Sequence, residues 1–562
     1  MKRGLLITFV MVCFWQGSIA QDNAKIDVTL QQEMSLRNAS ELVGINIILN
    51  QQYDQMSMRL KSSVLSKKED KRTFVVSELK RFSGETQRDV MNYLKLFSEK
   101  GQVSNIQSHW IYNGIYCYAT KTVIKELATF DEILIIGFDK QYKLAPDDKK
   151  ADITDASKEI TYNVLKVKAN EVWNLGYAGE GVIVAIADCG VNYNHYDLRD
   201  RMWTHPDFQH HGWDFVFNNN DPMDLEGHGT HCAGTIVGDG TAGSQTGIAP
   251  KATIMALKVW DDRPGVNLGS ANTMSSGFAF AVEYGAHVIS MSGGVFQPWV
   301  TDADKILLRS TMVNVLESGI IAAVAAGNEG DVLSWYPVPQ NVRIPGSCPP
   351  PWLHPDQTTT GGLSAVVCVG STDIDDNIAG SSSIGPSTWQ SISGYNDYPY
   401  NSGMGLIRPD VCAPGVNIKS CSHTNNSGYT SMSGTSMATP CVAGVMALML
   451  SKKPELTPAE ICEILETTAV HLPNQSSPKG NIFGSGRIDA YAAVQAVPVC
   501  LSINFINQTV TADTTVTSCG NINVQNVKVQ NGAKLILDAG GEVNIISDFE
   551  VESGSEFEIV YP

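Results

Sequence analysis

The chain has 562 residues, 43% of them hydrophobic and 17% charged, with a formal net charge of −18 at pH 7. That apolar share excludes a disordered polymer, and the length allows several domains with at least one large core. So acidic a balance excludes a broad phosphate-binding surface, so nucleic acid is not an expected partner.

Lys2 and Arg3, an apolar run over residues 5–15 and the small-residue exit Ser18-Ile19-Ala20 read as a cleaved export signal over 1–20, too short to span a membrane. No later stretch is long and apolar enough to cross a bilayer, and 442–450 reads as a core helix. The expected location is therefore outside the cytoplasm: extracellular, on the cell surface or periplasmic. Residues 21–150 form a separate small α+β segment, with strands expected at 73–79, 103–110, 115–119 and 133–138 and helices at 85–99 and 121–129. This segment holds 19 Lys and Arg against 17 Asp and Glu, whereas 151–562 holds 19 against 41, so the two parts attract. Between them, 139–159 is rich in Lys and Asp, contains Pro146 and reads as an exposed linker.

Over 151–498, apolar strands alternate with helical segments, which predicts an α/β domain: a doubly wound, mostly parallel sheet between helix layers. The run Val182-Ile183-Val184-Ala185-Ile186-Ala187 ends in Asp188-Cys189-Gly190, placing a carboxylate at a strand's carboxyl end. Gly227-His228-Gly229-Thr230-His231 sets an imidazole at the start of a small-residue helix; His231, three residues on, is expected to face the interior. Residues 320–326 form an apolar strand leading to Asn328, a side-chain amide suited to donate to an oxyanion. Gly434-Thr435-Ser436-Met437 runs into an apolar helix, so Ser436 lies where unpaired backbone N–H groups and the helix dipole stabilise negative charge. Taken singly, these are turn, cap or packing residues. Together they supply nucleophile, base, orienting acid and oxyanion donor.

The chain order Asp, His, Ser differs from Ser, acid, His in α/β-hydrolases and from His, Asp, Ser in chymotrypsin, and matches that of subtilisin. Asp188-Cys189-Gly190, Gly227-His228-Gly229-Thr230-His231 and Gly434-Thr435-Ser436-Met437-Ala438 resemble the three signatures of the subtilisin family of serine proteases. The resemblance implies a secreted serine endopeptidase acting on protein and peptide bonds, with Asp188, His228 and Ser436 as triad and Asn328 in the oxyanion hole. It implies that Ser292, Gly293 and Gly294, with Ala325, Ala326 and Gly327, bind substrate. Residues 21–150 resemble the family's ferredoxin-like inhibitory propeptide, particularly around 110–115, so the chain's own leader is an expected inhibitor in a zymogen. No cofactor is expected for the chemistry, and a monomer is expected. Asp197 and the oxygen-rich loop with Asp214, Asn219 and Asp221 resemble calcium ligands of some relatives, although the family's ligand spacing is imperfectly met and a solvated Asx-rich turn is the favoured reading of the loop. The alternatives are a catalytically silent binding or adhesion protein on the same fold, and an amidase or esterase on small substrates.

Of twelve cysteines, Cys500 with Cys519 and Cys412 with Cys421 are the expected disulfide pairs, and Cys189 and Cys232 are expected as buried free thiols. The tail, 499–562, turns to Val, Asn, Thr and Ile, and residues 527–537 recur at 549–559; a spacing of 22 predicts coils of a small β-solenoid.

Overall fold

The computed structural model describes residues 24–560 except 66, 144–147, 154–157, 265, 351–364, 393–394, 399–404, 477, 499–501 and 519, and only the backbone of 148–153 and 396–397. The expected export signal, Cys500 and Cys519 lie outside the described residues. The chain falls into two compact units, one joining residues up to Asp54 to Val75–Ala496, the other joining Gln55–Phe74 to the chain from Val497 onward.

In the first unit the leader forms a four-stranded antiparallel sheet of β1 (Val43–Leu49), β2 (Val103–His109), β3 (Gly114–Ala119) and β4 (Ile133–Phe138), in the order β2-β3-β1-β4. The part of α1 (Lys68–Thr86) from Val75 onward, α2 (Arg88–Ser98) and α3 (Lys121–Leu127) complete it, with Ile45, Ile47, Leu94, Ile115 and Val123 in its core. The strand expected at 73–79 is a correction: that stretch is the middle of α1. Its buried residues Val75, Leu79 and Ser83 recur every four positions, the period of a helix face, which overrides the β-branched composition. The first strand of the sheet is instead β1.

The linker is paired rather than open. Its β5 (Tyr142–Lys143) joins β11 (Leu268–Gly269), the partner of β10 (Trp260–Asp261), and its β6 (Asp148–Ile153) lies antiparallel to β19 (Tyr429–Ser433), next to β18 (Ile418–Cys421).

The remainder of this unit is built on a seven-stranded parallel sheet: β7 (Ile183–Asp188), β8 (Gly212–Asp214), β9 (Thr253–Lys258), β12 (Val288–Met291), β13 (Ile321–Ala325), β14 (Val366–Thr372) and β17 (Val411–Pro414). A hairpin, β15 (Trp389–Ile392) and β16 (Tyr395–Asp397), precedes β17. The order is β17-β14-β13-β12-β7-β9-β8, the doubly wound arrangement that the alternating pattern predicts. Its strands are continuous apolar runs because helices cover both faces. Among those helices are α4 (His228–Val237), α5 (Ala271–Glu283), α6 (Asp302–Glu317) and α7 (Thr435–Lys452).

The leader sheet packs on α5 and α6. A Cβ at Gly137 would come within 2.4 Å of the Ala303 methyl, so only glycine permits this approach. Asn314 Nδ2 donates to the Ile111 carbonyl at 2.6 Å, and Lys80 pairs with Glu283 at 2.5 Å. At the start of α6 the fully buried Asp304 accepts from Tyr142 Oη at 2.5 Å and from Asn46 Nδ2 at 3.4 Å. Burial pushes its carboxyl up to about 7, opposed by the Tyr142 hydrogen bond and reinforced by the acidic Asp139 and Asp27. Loss of hydration likewise pushes Asp139 up to about 6. The packed form therefore holds protons that the separated chain, with carboxyls titrating near 4, has released. Stability is greatest below about pH 4 and declines until the pH passes about 7, by up to about 1.4 kcal/mol per pH unit per group. The expected result is that the melting temperature of the 562-residue chain, measured relative to its Asp304→Asn variant, falls between pH 4 and 7. A difference independent of pH would exclude it.

The tail consists of β20 (Ile503–Val510), β21 (Thr514–Ser518), β22 (Ile522–Val529), β23 (Lys534–Ala539), β24 (Val543–Val551) and β25 (Glu556–Val560). They form two parallel three-stranded sheets, β20-β22-β24 and β21-β23-β25. Val527 lies opposite Phe549 and Lys534 opposite Glu556, so the repeat of 22 seen in the sequence is the rise from one coil to the next. The coils turn at Gly532 and Gly554, whose positive φ of 74° and 92° disfavours any side chain. Stacked Val524, Val527, Leu535 and Leu537 fill the interior, and asparagine ladders such as Asn504, Asn523 and Asn544 run outside.

The pairing expected between Cys412 and Cys421 is also corrected. Both thiols are free and buried, on strands of different sheets: Cys412 lies against Gly370, and Cys421 faces Asp197 at 4.0 Å. Cys189 and Cys232 are free and buried, as expected.

Candidate active site

Asp188 closes β7, the strand between β12 and β9, and is 1% exposed. His228 opens α4 after Gly227, whose φ of 112° is accessible to glycine at little cost. The two side chains meet directly, with His228 Nδ1 at 2.7 Å from Asp188 Oδ1. This bond fixes the tautomer that leaves Nε2 as the basic nitrogen.

Ser436 occupies the second residue of α7, a helix packed against α4. The Cys232 thiol, one turn beyond His228, reaches the Ser436 carbonyl at 3.6 Å and ties the two helix starts together. The Ser436 hydroxyl donates to the Ser292 carbonyl at 3.1 Å, while Ser292 Oγ donates to the Ser436 carbonyl at 2.8 Å. Transfer to His228 requires the serine hydroxyl to turn its proton away from the Ser292 carbonyl.

Asn328 follows β13, and its Oδ1 accepts from the Thr435 amide at 2.9 Å and the Thr435 hydroxyl at 3.0 Å. With the oxygen held by Thr435, the residue before Ser436, the NH2 group is the donor end of the amide. Asn328→Ala is expected to lower kcat by about 100 to 1,000-fold with little change in KM, since the donor acts on charge present only in the transition state. Steady-state rates on a peptide substrate check this.

The parallel strands β12 and β13 are neighbours; Ser292, Gly293 and Gly294 follow one, Ala325 ends the other and Ala326 and Gly327 follow it, with Ser292 bonded to Ser436 and Gly327 to Thr435. A model of the subtilase family matches residues 179–486, which span all four of these segments. The chain belongs to the subtilase family. Among similar proteins, bacillopeptidase F of Bacillus subtilis (strain 168) is 30% identical over 460 residues, covering 76% of this subtilase and 29% of that protein. Subtilisin E of the same strain is 30% identical over 376 residues, 67% of this chain and 82% of its own. Thermitase of Thermoactinomyces vulgaris is 32% identical over 338 residues, 59% and 95% respectively. The subtilase is thus a subtilisin-like serine peptidase, and catalysis in this family needs no cofactor.

The residues expected to bind calcium do not assemble into a ligand set among the described residues. Asp197 lies with His195 and Cys421, and its carboxylate accepts from the Ala242 amide at 2.5 Å and from Tyr429 Oη at 2.7 Å. Asp214 accepts the Val216 and Phe217 amides at 2.8 and 2.9 Å; Asn219 Oδ1 accepts the Asp221 amide at 2.8 Å, and Asp221 accepts from Tyr193 Oη at 2.8 Å. The bonds of Asp214 and Asn219 are those of an Asx-rich turn, the alternative reading of this loop. His231, with Nε2 at 2.9 Å from the Ile418 carbonyl, is a core histidine as expected.

One contributor carries no motif. Buried Asp224 accepts the amides of Glu226 at 2.9 Å, Gly227 at 2.7 Å and Thr230 at 2.8 Å, the Thr230 hydroxyl, and the Cys189 thiol at 3.4 Å. It caps the helix that carries His228 and binds that helix to the residue after Asp188. An acid four positions before the histidine, ahead of a small-residue helix, is the signal that could have found it.

Proposed function

We propose that the chain is an exported serine endopeptidase made as a zymogen, with protein and peptide substrates. The observation that carries this reading is the Asp188–His228 bond set beside Ser436, with Asn328 anchored to Thr435. In the reaction, His228 Nε2 takes the Ser436 proton as Oγ attacks the scissile carbonyl. The Asn328 amide and the Ser436 backbone N–H hold the resulting oxyanion. The protonated imidazole, stabilised by Asp188, then gives its proton to the leaving amine. Water, deprotonated by His228, releases the acyl group and restores the serine.

Zymogen character is supported by the backbone of the 139–159 linker that follows the leader's sheet. It adds β5 to β11 and β6 to β19, which ends three residues before Ser436, in the manner of an extended substrate. The processing cut belongs in the 139–159 linker, and the leader of residues 21–150 then acts as a tethered inhibitor. Export rests on the composition of residues 1–20; among the described residues no helix is long and apolar enough to cross a membrane. Wild-type and Ser436→Ala chains, compared for polypeptide length and casein turnover, test the reading: wild type shortens and digests, the variant does neither. Equal shortening and equal digestion would overturn it.

A further inference from the structure

The gap between Gly294 and Gly327 has a charged base. A Cβ at Gly294 would lie 3.1 Å from Arg343 Cβ, and one at Gly327 would lie 2.9 Å from Arg343 Cγ and 2.6 Å from Glu329 Oε2. The backbone brings Arg343 there by lacing across both strand ends. Its amide donates to the Ala326 carbonyl at 2.9 Å, and the next residue, Ile344, exchanges bonds with Val295 at 2.8 and 2.9 Å. Arg343 Nε lies 3.0 Å from both oxygens of Glu329, Nη2 bonds the same carboxylate, and Nη1 reaches the Gly294 carbonyl at 3.4 Å. Both side chains are 8% exposed.

A peptide whose carbonyl carbon meets Ser436 Oγ and whose carbonyl oxygen faces Asn328 must direct the side chain before the scissile bond, P1, between these two strand ends. We infer that the Arg343–Glu329 pair sets P1 preference, selecting side chains that carry a hydrogen-bond acceptor, glutamate and glutamine first, and rejecting lysine, arginine and large aromatics. This preference presupposes the peptidase activity proposed for the same site.

The donor count gives the sign. A guanidinium has five N–H groups; Glu329 and the Gly294 carbonyl occupy one on Nε, one on Nη2 and one on Nη1, leaving one on each Nη. Glu329 has no matching surplus, because besides Arg343 its Oε2 accepts the Asn328 amide at 2.9 Å and the Ser383 hydroxyl at 3.1 Å. The base of the gap thus offers donors and no acceptor. A cationic P1 would meet a like charge and find no partner, and the bulk of the pair shortens the space for an aromatic ring.

The test uses the processed protein, with active sites counted by a fluorophosphonate label on Ser436, and peptides identical except at P1. The expected kcat/KM for P1 glutamate and glutamine exceeds that for lysine, arginine and phenylalanine by at least about tenfold. Glu329→Gln, which removes the neutralising charge and keeps the shape, is expected to raise the glutamate-to-glutamine ratio several-fold. Arg343→Met together with Glu329→Gln, which removes the pair without stranding a charge, is expected to abolish the preference and raise phenylalanine. Labelled protein that prefers lysine, arginine or phenylalanine, or variants that keep the wild-type order, would overturn the inference and leave the peptidase reading standing. Protein that takes no label and cleaves no peptide would overturn both.

Discussion

Replacing Ser436 by alanine is expected to lower turnover by about a million-fold, the loss known for the nucleophile of subtilisin. No described group near the site substitutes as a nucleophile: the Cys189 thiol is buried and held far above its ordinary pKa by burial and by Asp224 and Asp188, and it bonds Asp224. The neighbouring Ser292 hydroxyl is engaged with the Ser436 carbonyl at 2.8 Å, and that of Thr435 with Asn328 at 3.0 Å. The alanine fits without strain because Ser436 makes one side-chain bond, to the Ser292 carbonyl at 3.1 Å, so folding is preserved and KM changes little. Residual rate comes from the oxyanion donors acting on water attack. Active-site-normalised kcat on a chromogenic peptide, with circular dichroism as a control for folding, checks both parts.

Asp188→Asn is expected to lower kcat by about 10,000-fold while leaving the fold intact. Asp188 Oδ1 accepts from His228 Nδ1 at 2.7 Å and from the Cys189 amide at 2.8 Å. Both donors share Oδ1, so an asparagine that keeps its oxygen there loses the charge that steadies the imidazolium, and one that turns its NH2 group there favours the imidazole protonated on Nε2, which cannot accept the serine proton. Binding of a substrate analogue should be nearly unchanged, so the effect falls on kcat and not on KM. A loss smaller than about tenfold would show that His228 is oriented by other means, Asp224 being the alternative.

The parallel sheet and the placing of the candidate triad were legible because each rests on a local pattern. An apolar run ending in Asp188 is a buried strand with a carboxylate at its edge, and Ser436 ahead of an apolar segment is a helix mouth. The 22-residue tail repeat was legible for the same reason: stacking makes sequence period and spatial period the same quantity. What was missed depends on contacts between distant segments. Residues 73–79 are β-branched enough to pass for a strand, and only burial every fourth residue marks the helix. The hydrogen bonds from the Ala242 amide to Asp197 and from the Val216 and Phe217 amides to Asp214 Oδ1 likewise could not be read from the sequence. Arg343 carries no motif, and its place arises only because the backbone crosses from Ala326 to Val295.

If the chain is the zymogen proposed above, the pairing of β5 with β11 and of β6 with β19 has a consequence for how it is held silent. The occupant of those edges is covalently part of the same molecule, so its local concentration is set by chain geometry and is unaffected by dilution. Severing the linker changes the order of the process: the released segment must then be recaptured in a two-body encounter, and infinite dilution, ineffective beforehand, becomes sufficient to liberate the enzyme.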